Sequence, residues 1–188
     1  MRTTGEVIRE IKNGKVDSVY FLLGNDHYLQ NLIINEISKV IFNKIEEDKT
    51  FLSPDDMKSE DIIDKITQND LFATKKILVL RNPGAFRNKA RKEFLSYCND
   101  PIANNYLIVI ENDFNDRKSI TKELKKIKKT VSVQTPFPGE MKKWTKFMLS
   151  EKQLNYNENI IDMIVEIAGD SLFHINNEIE KISLNIND

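Results

Sequence analysis

A chain of 188 residues has room for one α/β domain with a small appendage, and its 40% hydrophobic and 30% charged content is that of an ordinary globular protein. Its formal net charge of -1 excludes a global electrostatic bias toward nucleic acid or an acidic membrane, so any DNA contact must come from a local basic face or from partners. One cysteine, Cys98, excludes an internal disulfide and fits a reducing compartment. No signal peptide opens the chain and no apolar run approaches the ~18–20 residues that span a membrane, so a soluble, cytoplasmic protein is expected.

Val7 to Lys12 reads as a short helix stopped at Asn13-Gly14. Val19 to Leu23 is continuously apolar and closed by Gly24, the signature of a strand buried on both faces. After Asn25-Asp26 a long amphipathic helix carries Leu29, Leu32, Ile33, Ile37 and Ile41. Thr50 to Leu52 forms a short strand, Ser53-Pro54-Asp55 breaks it, and Ile62, Ile63 and Ile66 mark the inner face of a helix from Ser59 to Gln68. Ile77 to Leu80 is a third strand. Asn82-Pro83-Gly84 then turns into a helix carrying Phe86, Phe94, Leu95 and Cys98.

Tyr106 to Ile110 is a fourth buried strand, Ile120, Leu124 and Ile127 sit on a strongly basic helix, and Val131 to Val133 is a fifth strand. Strand and helix alternating in this way imply a parallel sheet with helices on both sides. At Thr135-Pro136-Phe137-Pro138-Gly139 the pattern changes to helix alone: Met141 to Ser150, Asn157 to Ala168, and a third helix capped at Asp170-Ser171. The domains expected are residues 1–136, α/β, and residues 137–188, all-helical. The end at Asp188 is abrupt, so a truncated chain is expected.

Gly24-Asn25-Asp26-His27-Tyr28 stands where a phosphate-binding loop would stand, but the second glycine, the Lys and the Ser or Thr that hold phosphates are missing. Capping by Asp26 and packing by Tyr28 is the expected role. Glu111 and Asp113 are expected to be solvated carboxylates at a strand end. His27 and His174 lack a ligand set at metal spacing, and no nucleophile elbow or Cys/His pair occurs. The residues therefore predict no catalytic group, metal or cofactor. Lys122, Lys125, Lys126 and Lys129 form a basic face that is either solvated or close to DNA.

Gln68-Asn69-Asp70-Leu71-Phe72 is open to two readings. Leu71 and Phe72 are either the lip of the core or a plug for an apolar pocket on another protein, with Gln68 and Asp70 flanking it. Gln-x-Asp-Leu-Phe is the spacing of peptides that dock on bacterial sliding clamps.

Four blocks in order resemble the delta subunit of bacterial DNA polymerase III. They are Tyr20 to Asp26, Asp70 to Arg81, Leu107 to Ile110 followed by Arg117-Lys118, and Gly169 to Leu172 with Asn177 to Ile182. The resemblance implies an AAA+-like α/β domain without a functional P-loop, then a helical lid, with the collar domain that follows in that family absent. It implies a non-catalytic clamp-loader subunit that binds the sliding clamp through Gln68, Asp70, Leu71 and Phe72 and opens the ring during DNA replication. Its partners would be the clamp, the gamma/tau and delta-prime subunits, and primed DNA within the polymerase holoenzyme. Asn69 departs from the pattern, because such peptides often carry an apolar residue there. An AAA+-type nucleotide-binding protein is an alternative, but it would need the missing P-loop. Delta-prime is another, but it would be expected to carry zinc-binding cysteines.

Overall fold

The computed structural model describes residues 1–43, 49–68, 75–114 and 119–186. They form two compact units, Met1–Gln134 and Thr135–Asp188.

The first unit is a six-stranded, wholly parallel sheet: β1 (Arg2–Thr3), β2 (Val19–Leu23), β3 (Lys49–Leu52), β4 (Lys76–Arg81), β5 (Asn105–Glu111) and β6 (Thr130–Ser132), in the order β1-β6-β2-β5-β4-β3. The connecting helices are α1 (Thr4–Lys12), α2 (His27–Phe42), α3 (Ser59–Thr67), α4 (Asn88–Asn99) and α5 (Ser119–Ile127). β2 is buried along its whole length, and so is β5 apart from Tyr106, because helices cover both faces of the sheet.

One face holds Phe21, Leu23, Leu78, Leu80, Leu107 and Val109 against side chains of α3, α4 and α5. There Phe86 and Phe94 meet edge-on at 5.1 Å. Phe86 lies outside α4, in the extended residue that ends a 3₁₀ turn at Pro83–Ala85.

Two features escaped the sequence reading. β1 is only two residues long, too short to show any periodicity. The α1 start is a capping box: the Thr3 hydroxyl accepts from the Glu6 N–H at 3.3 Å, and the Glu6 carboxylate accepts from the Thr3 N–H at 2.7 Å.

Cys98 is fully buried, and that burial pushes its thiol from 9.0 up to about 12. Because the folded thiol resists ionisation while the unfolded one ionises, stability falls as pH rises from ~9 toward 12. Iodoacetamide at about pH 8 should leave the native thiol unmodified and label it only on unfolding, as mass spectrometry would show.

The second unit contains α6 (Met141–Glu151), α7 (Glu158–Ala168) and α8 (Leu172–Ile186). Asn157 caps α7 by accepting from the Ile160 N–H at 3.0 Å, and Ser171 accepts from the His174 N–H at 3.4 Å. Met141, Met148, Ile161, Ile164, Ile175 and Ile179 form its buried interior.

Candidate functional site

In a doubly wound sheet, ligands bind at the carboxyl ends of adjacent strands whose connections leave in opposite directions. Here those strands are β2 and β5. β2 leads through α2 to β3 at one edge, and β5 leads through α5 to β6 on the other side of β2. Leu23 and Glu111 are partners in register there, so the crevice opens at Gly24 and Asn112.

The protein's own groups fill that crevice. Gln30, on the first turns of α2, is fully buried. Its amide donates to the Gly24 carbonyl at 2.8 Å and to the Asn112 side-chain oxygen at 3.0 Å, and its own oxygen accepts from the Arg81 guanidinium at 3.0 Å. A phosphate loop turns its N–H groups toward the ligand. In this chain the Gly24 N–H goes to the Glu111 carbonyl, and the Asp26 N–H goes to the Val133 carbonyl, both at 3.0 Å. The buried Asp26 carboxylate accepts from the Leu29 N–H at 3.0 Å. It sets a negative charge at the helix terminus, where a phosphate would otherwise sit.

The Arg81 pKa is lowered by burial alone. Among the described residues its side-chain hydrogen bond is to neutral Gln30. Replacing Gln30 with Leu removes the hub that satisfies three groups. A loss of about 1–3 kcal/mol in urea denaturation is expected, read by circular dichroism.

Asp26 thus caps α2 as expected, and Tyr28 is half-buried. Glu111 differs from expectation. It is buried rather than solvated, because β5 lies between β2 and β4 and its last residue is covered on both sides; Asp113 is exposed. His27 and His174 are exposed, and among the described residues no group of His, Cys, Asp or Glu is placed to hold a metal. Gln30 and Arg81 had been given no role. The available signal was a polar residue on the helix face that also carries Ile33, Ile34 and Ile37.

The docking pattern begins at Gln68, just after α3, and the described chain resumes at Lys75, just before β4. Of its four candidate residues, Asp70, Leu71 and Phe72 lie outside the described residues. Gln68 is described and its side chain is exposed. It ends α3 in an extended conformation (φ -62, ψ 122), and its N–H still donates to Asp64 at 2.8 Å. Its carbonyl accepts from the Lys76 ammonium at 2.8 Å, so the two ends of the connection are tied together.

Lys122, Lys125, Lys126 and Lys129 are all exposed on and just after α5. No helix among the described residues is long and apolar enough to cross a membrane.

Comparison with known proteins agrees with this architecture. A Bacillus subtilis protein named DNA polymerase III subunit delta is 22% identical over 197 residues, covering 97% of this chain and 56% of its own length. The solved Bacillus subtilis DNA clamp loader delta protein superposes with a TM-score of 0.74 at 18% identity, covering 98% of this chain and 58% of its own. The Thermotoga maritima RuvB Holliday junction branch migration motor superposes with a TM-score of 0.53 at 13% identity, over 94% of this chain and 58% of its own. At such identities the superpositions establish the fold, an AAA+-like one. The chain spans a little over half the length of these relatives. The sequence profile described as "DNA polymerase III, delta subunit" matches residues 20–134, most of the first unit, and the chain belongs to that family.

Proposed function

We propose that this chain acts in a replication clamp loader as a non-catalytic subunit that docks on the sliding clamp and helps to open the ring. Residues 1–136 serve as an AAA+-like domain whose nucleotide position is closed, and residues 137–188 serve as its helical lid. Leu71 and Phe72 enter an apolar pocket on the clamp, Gln68 adds an orienting hydrogen bond, and Asp70 stays at the rim. The gamma/tau subunits supply ATP binding, and delta-prime and primed DNA complete the assembly.

The observation that carries this reading is the filled crevice. In a member of this family, the hydrogen bonds that Gln30, Asp26 and Arg81 make at the phosphate position support action by contact rather than by ATP turnover. The test is surface plasmon resonance of the chain against immobilised clamp, beside fluorescent ATP titration. Binding to the clamp without binding to ATP is the expected result. No clamp binding at tens of micromolar (about -6 kcal/mol or weaker) would overturn the reading, as would tight ATP binding.

A further inference from the structure

Asn13-Gly14, the stop of α1, takes no part in the crevice or the docking segment. Asn13 is the only asparagine of the chain that glycine follows. Both residues are exposed, and nothing lies within 4 Å of a Cβ built on Gly14. The Asn13 side-chain amide has no partner among the described residues. Three backbone bonds close the helix around the pair. The Asn13 N–H donates to the Arg9 carbonyl at 3.1 Å, the Gly14 N–H to the Ile11 carbonyl at 2.9 Å, and the Lys15 N–H to the Glu10 carbonyl at 3.0 Å. The last two are the paired bonds of a Schellman cap, and Gly14 supplies its left-handed residue at φ +79.

This cap holds apart two groups that react when they meet. The Gly14 nitrogen, once it gives up its proton, can attack the Asn13 Cγ, unhindered because glycine has no Cβ. An N–C bond forms, the Cγ–Nδ2 bond breaks, and Nδ2 leaves with that proton as ammonia. Water then opens the five-membered imide. Cleavage at the side-chain carbonyl gives aspartate. Cleavage at the main-chain carbonyl gives isoaspartate, whose backbone runs through Cβ and Cγ and is one atom longer. In the cap, ψ of Asn13 is 12, so the Gly14 nitrogen eclipses the Asn13 nitrogen rather than its Cβ. A near-attack geometry needs the reacting atoms aligned at ~3–3.5 Å, so ψ must turn and the bond to Ile11 must break first.

We infer that Asn13 is a site of self-modification gated by the α1 cap: opening of the last turn lets Gly14 displace ammonia from Asn13, and the isoaspartate formed keeps the turn open. Helix ends open locally far more readily than the whole fold, so the gate is crossed without global unfolding. The extra backbone atom puts the Gly14 and Lys15 N–H groups out of step with Ile11 and Glu10, and loss of ammonia makes the change one-way. The Glu10 side chain also holds Arg2 of β1 at 2.5 Å, so the loosened turn is the one that ties down this edge strand.

The test is peptide mapping by mass spectrometry of the full chain kept in warm, mildly alkaline buffer, native and in unfolding urea. Methylation by protein isoaspartate methyltransferase marks the isoaspartate. Asn13 should react fastest of all asparagines in urea. In the native chain it should react at least tenfold more slowly, since about 1.4 kcal/mol of cap opening is a factor of ten. The Asn13→Gln chain should give no isoaspartate at this position. The deamidated fraction, isolated by anion exchange on its added charge, should exchange its Lys15 amide hydrogen about tenfold faster or more. Asn13→Asp adds the charge without the extra atom and should keep that exchange within about threefold of wild type. Faster reaction at another asparagine in urea, or an equal isoaspartate signal from Asn13→Gln, overturns the site. Equal native and unfolded rates overturn the gate. Unchanged Lys15 exchange in the isoaspartate form, or an equal rise in Asn13→Asp, overturns the role of the longer backbone.

Discussion

Replacing Leu71 and Phe72 together by alanine is expected to weaken binding to the sliding clamp by a hundredfold or more, with the fold unchanged. Two large apolar side chains buried in a preformed pocket contribute about 1.5–3 kcal/mol each, and anchors of this kind dominate an interface while their neighbours mainly exclude water. Gln68→Ala is expected to cost less, about 1 kcal/mol, the net worth of one hydrogen bond. The Gln68 carbonyl accepts from the Lys76 ammonium, so Gln68 itself is fixed at the backbone and the alanine change tests its side chain alone. The measurement is surface plasmon resonance with a melting curve on each variant. A double variant that stays folded and binds as tightly as wild type places the docking site elsewhere. One that loses both binding and stability instead assigns Leu71 and Phe72 to the core.

Gly24→Ala is expected to destabilise the first unit by about 4 kcal/mol. Gly24 has φ +134, a backbone region that side chains rarely adopt, and strain of that kind costs about 1–3 kcal/mol. A Cβ built there lies 2.5 Å from the Val133 carbonyl carbon and 2.6 Å from the Gln134 nitrogen and the Val133 oxygen. All three are backbone atoms, held by the hydrogen bonds from Val133 to Leu23 and from Asp26 to Val133. They cannot yield without breaking the exit of β6 from β2, and overpacking adds a further ~1–3 kcal/mol.

Gly5→Ala is the control. Nothing lies within 4 Å of its Cβ, and its place in α1 predicts a gain of about 0.5 kcal/mol. Urea denaturation followed by circular dichroism compares the two. Tryptophan fluorescence is unsuited, since the single tryptophan, Trp144, belongs to the second unit. If Gly24→Ala melts with wild type, the close approach of Gly24 to Val133 is not a constraint on the fold.

Much of the fold was legible along the chain. The apolar runs at Val19–Leu23 and Tyr106–Ile110 read as buried strands because a strand covered on both faces has no polar positions to alternate with. Helices α2, α3 and α5 followed from Ile33 and Ile37, Ile62 and Ile66, and Ile120 and Leu124, each on one face. The missing P-loop lysine was equally plain. Burial of Glu111 was not, since Glu-Asn-Asp after a strand looks the same whether or not neighbouring strands enclose its end.

What the sequence by itself determined is the longer strands and the helices, though not β1, and the absence of a phosphate-holding side chain, because these are written within a few consecutive residues. Propensity, periodicity and a missing lysine need no partner to be read. Only the tertiary structure decided what closes the crevice. Gln30 bonds Arg81 across 51 positions of sequence and Asn112 across 82. Those meetings depend on the strand order β1-β6-β2-β5-β4-β3, which burial periodicity does not specify. The same order decided that β5 is enclosed on both sides, and hence that its last carboxylate is buried.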